Sequence, residues 1–204
     1  MHFRSARPRF ILALTGALLA ALMATATPAA AASAPQHTAR LSGTTAVTTA
    51  PGIASTLLRA GVLPLPVPPT GFAVGYRHGL TVTYGFRITG GNPDLAGPSG
   101  DILHSGGIYF TSLRKHLEIG RFDIDLAAGK IYATEINFKS GRIAVLDLDL
   151  SKLNVGSRNG ATVLSGIGLR LDPAAAGALN ATFGLALPTN GSLTFGTAVV
   201  TLRT

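Results

Sequence analysis

The sequence contains neither cysteine nor tryptophan, and only 13% of its 204 residues are charged. Without cysteine the chain has no disulfide framework, no thiol chemistry and no lipoprotein attachment site, so the fold must depend on its core. It has no Gly-x-Ser-x-Gly nucleophile elbow and no pair of histidines at zinc-binding spacing. We therefore expect a protein that is not an enzyme and has no catalytic or metal-binding residues.

The N-terminal residues have the three parts of a secretory signal peptide. Arg4, Arg7 and Arg9 precede an uncharged apolar run over 10–23, and small residues follow. The run is short for a membrane span, although an uncleaved anchor is the alternative. We predict that residues 1–32 are removed as a signal peptide. The mature protein is then expected to be secreted and extracellular, without a membrane span. Association with the cell wall is a further option.

The charge of the remaining chain limits its partners. Fourteen basic and nine acidic residues remain after residue 32, a net charge of +5. They are scattered, and the densest basic pair is Arg114-Lys115. Because a nucleic-acid site needs a basic stripe with interleaved aromatics, we expect no nucleic-acid partner. The mild positive charge suits an anionic cell-wall polymer, but solubility is the ordinary explanation and the one we favour.

The composition divides the mature chain in two. Residues 33–70 are rich in Thr, Ala and Pro, which predicts a flexible lead-in with a short helix near 52–60 and one edge strand at 44–48. Residues 71–204 alternate apolar and polar residues between glycine-containing turns, which predicts a single β domain.

Alternation is clearest over residues 80–88, where five apolar residues face one way. Strands recur at about ten-residue spacing, and a phase change at Gly120 predicts a β-bulge. One helix is predicted over 173–183, because Asp172 suits the N-cap and Gly184 suits the exit. We expect a mainly β fold, either an antiparallel β-sandwich or a curled barrel-like sheet, with this helix covering an end or edge.

His104 is the most informative polar residue. The flexible Gly106-Gly107 that follows it can present its imidazole at the mouth of a sheet, with Tyr84 and Tyr109 as neighbouring candidates. A tyrosinate is a recognised iron ligand for haem, and a hydrogen-bonded histidine helps it to stay ionised. The more ordinary interpretation, which we favour, makes Tyr84 a core residue and lets His104 bond a turn carbonyl.

Two carboxylate pairs occur at i, i+2 spacing, Asp123 with Asp125 and Asp147 with Asp149. That spacing places both groups of a pair on one strand face, as a calcium or glycosidase site requires. Both pairs lie opposite the apolar face, where charged residues are expected on a solvated sheet. We therefore interpret them as surface residues and rank a hydrolase using Asp123 and Asp125 below a binding or structural role.

Several stretches occur together in a recognisable order: Phe86–Gly91, Leu103–Phe110, Phe122–Asp125, Leu146–Ser151, Ala178–Gly184 and Gly196–Val200. With them the chain resembles an uncharacterised family of secreted proteins from high-GC Gram-positive bacteria. It is more distantly similar to the HtaA-type haem-binding domain of cell-envelope iron uptake, whose Gly-His-x-Gly turn resembles Leu103-His104-Ser105-Gly106.

The HtaA resemblance implies haem as a ligand and gives His104 the supporting histidine role, with Tyr84 as the best upstream tyrosine. Our leading interpretation is thus a non-enzymatic binding domain of the cell envelope. The alternative is a structural or adhesive cell-wall module without a small ligand.

Overall fold

A computed structural model describes residues 41–76 and 78–203. The predicted signal peptide and residues 33–40 of the predicted lead-in lie outside the described residues. The described strands follow one another as β1 (Ser42–Thr49), β2 (Leu63–Val67), β3 (Gly71–Gly75), β4 (Thr81–Gly91), β5 (Asp101–Ser105), β6 (Gly107–Thr111), β7 (His116–Asp125), β8 (Lys130–Ile136), β9 (Lys139–Asp149), β10 (Asn154–Arg158), β11 (Ala161–Leu171) and β12 (Thr194–Arg203). The helices are α1 (Ile53–Arg59) and α2 (Pro173–Phe183).

Eight strands close into an antiparallel barrel. Around the ring they follow the order β1, β12, β11, β9, β8, β7, β5 and β4, and β4 pairs again with β1. Of the remaining strands, β10 pairs with β11, β3 with β4, β6 with β7 and β2 with β6. The predicted mainly β fold is confirmed, and the curled sheet of the prediction is a closed barrel.

The inward faces of the strands form the core. On β4 the alternation predicted from the sequence is confirmed, because Val82, Tyr84, Phe86 and Ile88 are all buried. Burial of an apolar side chain of this size contributes about 1.5–3 kcal/mol. None of the described helices is long and apolar enough to cross a membrane.

The position of β1 corrects one prediction. Its Thr-rich composition predicts an edge strand in a flexible lead-in, but Thr45 pairs with Val200 of β12 on one side and with Phe86 of β4 on the other. β1 is therefore an interior strand of the barrel, and Thr45 and Thr49 are buried within it. Composition misled here because threonine is a good strand former whose pairing partners lie far along the chain.

Both helices lie at the same end of the barrel. α1 follows the last residue of β1, Thr49, which pairs with Gly196 near the start of β12. α2 connects β11 to β12, and Leu171 N–H donates to Leu193 O at 2.9 Å across its base. We call this end the helix end. It also carries the connections β3–β4, β6–β7 and β8–β9, whereas the opposite, far end carries β4–β5, β7–β8 and β10–β11.

The caps of α2 are those that the sequence predicts. Asp172 Oδ1 accepts a hydrogen bond from Ala174 N–H at 2.8 Å, and Gly184 ends the helix at φ 71°. Asp172 Oδ2 also accepts from Lys130 Nζ at 2.7 Å, which ties the start of the helix to β8. The prediction of a helix over 173–183 is confirmed.

The segment after His104 is a bulge and not a turn, because β5 and β6 pair with the same edge of β7. Leu103 pairs with Asp123 and Gly107 pairs with Gly120, so three residues face two across the ladder. The β-bulge that the phase change at Gly120 predicts is present, although the extra residue lies between β5 and β6 and not in β7. Arg121 takes up the phase change on β7 with φ 51°.

Candidate functional site

A cavity of about 160 Å³ occupies the helix end of the barrel interior. Strands from around the ring line it together with α1 and α2. Apart from Thr45 and Thr56, every lining side chain is apolar. A cavity of comparable size with apolar walls remains dry and takes up small apolar molecules.

The exposure of the lining residues changes along the cavity. Thr56 on α1 is exposed, and Ala178 on α2 and Ile136 at the end of β8 are partly exposed. At the other extreme, Phe86 and Phe122 are buried. The cavity therefore runs from a partly exposed mouth between the helices to a closed floor in the barrel.

His104 does not line the cavity itself but bonds to two residues of its floor, one through each ring nitrogen. Its Nε2 lies 2.7 Å from Thr45 Oγ1 and its Nδ1 lies 3.2 Å from Phe122 O. A carbonyl accepts only, so Nδ1 carries the proton and Nε2 accepts from the threonine hydroxyl. The side chain is 5% exposed, and this burial lowers its pKa to about 4. His104 is thus neutral at pH 7 and joins three strands of the barrel.

Tyr84 joins two parts of the barrel wall. β5 pairs with β4, but β6, which follows Gly106, does not. Instead β6 pairs with β2, and β4 pairs with β3, so the wall is divided between β2 and β3. The Tyr84 hydroxyl donates to Pro64 O at 3.0 Å, which links β4 to β2 across this division. Burial raises the pKa of Tyr84 above its ordinary value. The hydroxyl therefore keeps its proton at neutral pH.

Tyr109 lies on the opposite face of the wall. Its neighbours Ile108 and Phe110 line the cavity, and alternation turns Tyr109 outward. Its ring stacks on His116, with the ring centroids 5.7 Å apart. Tyr109 is half-buried and His116 is exposed.

The three candidate residues do not form one site. His104 pairs with Ile88 of β4. Tyr84 is four residues from Ile88 on the same strand, which separates their Cα atoms by about 13 Å along the strand. Tyr109 is on the other side of the sheet. In the haem hypothesis, a tyrosine hydroxyl faces the iron and a histidine nitrogen is free to support it with a hydrogen bond. The Tyr84 hydroxyl is bonded to Pro64 O and both nitrogens of His104 are bonded to protein groups, so the residues as placed do not fit a haem.

The carboxylate pairs lie on the outer face of the barrel. Arg142 lies 3.6 Å from Asp123 and 3.9 Å from Asp125, and its guanidinium also stacks on Tyr132. Burial, and then the negative charge of Asp101, raises the pKa of Asp123. Among the described residues, no group of three or more metal-ligating side chains is arranged to hold a metal ion.

Sequence reasoning missed the cavity. Its walls come from strands and helices spread over residues 45–195, and each contributes residues that the alternation predicts only as core. No local pattern distinguishes an apolar residue that packs against another from one that faces a void. The nearest signal was the phase change around Gly120, which turns both Ile119 and Phe122 toward the cavity.

No family model matches the chain, and no curated protein matches it either. Among solved structures, the chain is similar to the C-terminal domain of HtaA from Corynebacterium glutamicum. The sequence identity is 17% and the TM-score is 0.44, over 80% of this chain and 99% of that domain. A likeness at this level assigns neither a family nor a ligand to this chain.

Proposed function

We propose that this chain is a non-enzymatic binding protein that holds a small apolar molecule or a hydrocarbon chain inside its barrel. The observation that carries the proposal is the apolar cavity with a partly exposed mouth between α1 and α2. Ligand sites are concave, mostly apolar and have few polar groups. Eight-stranded barrels are of a size that encloses one small ligand.

The lining predicts the chemistry of the ligand. Because the walls carry no charged side chain, the buried part of the ligand must be uncharged. Each methylene group that it buries contributes about 0.8 kcal/mol. Any polar group is expected at the mouth, where Thr56 is exposed. A chain with an apolar tail and a polar head satisfies both conditions.

Two alternatives from the sequence are less well supported by this geometry. Haem is far larger than the benzene that a cavity of about 150 Å³ accepts, and the three candidate residues do not converge on one point. A purely adhesive wall module leaves the cavity without a purpose. Haemin is nevertheless a useful competitor in the probe-binding assay described below. Saturable displacement of the probe by haemin would make haem the favoured ligand again.

We also propose that the protein is exported. The support is the basic, apolar and small-residue order of the first 32 residues. Intact mass measurement of protein recovered from culture medium should show a new N-terminus at or within two residues of Ser33. Recovery of the full-length chain from the cytoplasm would contradict this proposal.

The proposed cavity can be tested with a small neutral probe, toluene, titrated calorimetrically into the purified mature protein. We expect saturable one-to-one binding. Ala178 lies at the mouth on α2, so Ala178→Phe should fill that space and weaken the binding of the probe at least about tenfold, or 1.4 kcal/mol.

The matched control is Ala181→Phe, which adds the same ring to an exposed position of the same helix outside the cavity lining. It should leave probe affinity unchanged. Equal affinity in both variants, or non-saturating binding to the wild type, would remove the cavity as a ligand site.

A further inference from the structure

The three most exposed large hydrophobic side chains of the described chain lie at the helix end. Leu113 is fully exposed, Tyr76 is 75% exposed and Phe138 is 66% exposed. Each belongs to a different connection, β6–β7, β3–β4 and β8–β9 respectively. Three separate tips around one end of a barrel therefore present apolar groups to solvent.

The exposed charges at this end are mostly positive. Arg59, Arg114, Lys115 and Lys139 are exposed in or beside its connections. Of the acidic side chains there, Asp172 and Glu118 are buried, and Glu135 is partly exposed and paired with Arg121. The helix end thus combines exposed cations with exposed apolar tips.

The far end differs in both respects. Asp94, Asp101 and Asp125 lie in or beside its connections, where they are mixed with the basic residues Lys130 and Arg158. None of the three most exposed apolar residues lies there. The association of apolar tips with positive charge is therefore a property of one end and not of the whole surface.

From this segregation we propose that the helix end docks onto an anionic lipid surface. Apolar tips enter the boundary between headgroups and acyl chains, aromatic rings such as that of Tyr76 prefer that depth, and nearby cations bind the anionic headgroups. A soluble polyanion would use the cations alone and would leave the apolar tips in water. The combination therefore favours a lipid surface over a wall polymer.

The orientation of the docked protein connects it to the cavity. The mouth between α1 and α2 opens at the same end as the three tips, so docking turns the mouth toward the lipid. The source of the ligand would then be the lipid layer itself. This last step rests on the proposed function, whereas the docking does not.

Co-sedimentation of the mature protein with vesicles tests the docking. Binding to vesicles of phosphatidylglycerol and phosphatidylcholine should be at least about tenfold stronger than to phosphatidylcholine alone, since each cation near an anionic surface contributes about fivefold. The double variant Leu113→Asp/Phe138→Asp should lose at least about tenfold in vesicle affinity. Arg114→Glu/Lys115→Glu should abolish the preference for anionic vesicles.

Two matched controls carry the same changes elsewhere. Val155→Asp alters an exposed apolar residue of β10, and Arg158→Glu reverses an exposed charge at the far end, so both should bind vesicles as the wild type does. Unchanged binding in the helix-end variants, equal affinity for both vesicle types, or binding to soluble polyglutamate without binding to vesicles would overturn the proposal. A dimer that the Leu113→Asp/Phe138→Asp change dissociates would also overturn it, because a second copy would then cover the tips.

The two proposals fail separately. The helix-end variants should still bind toluene in the absence of vesicles, and Ala178→Phe should still bind vesicles. A wild-type protein that binds anionic vesicles but not the probe would contradict the cavity alone. A wild-type protein that binds the probe but not anionic vesicles would contradict the docking surface alone.

Discussion

The same two residue types occur on both sides of the barrel wall with different consequences. Inside, His104 and Tyr84 are buried, and their polar atoms are bonded to protein groups on other strands. Outside, Tyr109 and His116 stack on each other at the protein surface. The inner pair connects strands, whereas the outer pair is open to solvent.

The strand face, and not the residue type, therefore decides whether one of these side chains has a structural role. Burial disfavours the charged form of an imidazole or a phenol, so an inner histidine becomes neutral and an inner tyrosine keeps its proton. A buried polar group also needs a partner, because leaving it unpaired costs about 1–3 kcal/mol. The ligand chemistry that the sequence suggested for His104 is therefore replaced by a structural role.

The largest difference between the two faces should appear when the histidines are removed. His104→Ala empties a buried site and leaves Thr45 Oγ1 and Phe122 O without their partner. We expect it to lower the free energy of unfolding by about 3–4 kcal/mol, whereas exposed His116→Ala should change it by no more than about 0.5 kcal/mol. Urea unfolding at pH 7 measures both, and similar midpoints would contradict the assigned role of His104.

The buried position of His104 should also make the free energy of unfolding depend on pH. Burial lowers its pKa from 6.5 to about 4, so between these values the unfolded chain takes up a proton that the folded chain does not. Stability should therefore fall as the pH drops from 7 to 4, by about 3 kcal/mol from this residue. In His104→Gln, whose amide can retain both hydrogen bonds, this contribution should vanish.

Urea unfolding at pH 7 and at pH 4 gives the pH slope for each variant, and the carboxylates common to both chains cancel in the difference. His116→Gln, the same change on the outer face, is measured in parallel as the matched control. Parallel slopes for the wild type and His104→Gln would show that His104 titrates normally.

The smallest expected effect is that of the two tyrosine hydroxyls. Tyr84→Phe removes the hydrogen bond to Pro64 O and should cost about 1 kcal/mol of unfolding free energy. Tyr109→Phe, on the outer face, should cost less than about half of that. If the two variants have the same urea midpoint, the link between β4 and β2 contributes nothing to stability.

Much of the local structure could be predicted from the sequence. The alternation over residues 80–88 identified β4 and its buried face, and Asp172 and Gly184 identified both ends of α2. These signals work because a strand or a helix end is decided by neighbours within a few residues. The exclusion of thiol chemistry likewise follows directly from the absence of cysteine.

Predictions that depended on distant pairing were less successful. The residues of β1 look like a lead-in until Thr45 is found between Phe86 and Val200. Tyr84 and His104 look like neighbours in the sequence pattern, but strand register separates them by about 13 Å. Register between strands is fixed by the packing of the whole barrel, and the local sequence does not encode it alone.

The sequence alone was thus sufficient to predict the fold class, because strand periodicity and the signals that end a helix act through adjacent residues. It determined the β content, the C-terminal helix, and the basic and apolar start that we interpret as an export signal. Only the tertiary structure decided that the sheet closes, that His104 faces inward with both nitrogens occupied, and that an apolar cavity opens at the end where Leu113, Tyr76 and Phe138 are exposed. Closure, cavities and surface patches are properties of many segments at once, since each depends on which distant strands become neighbours.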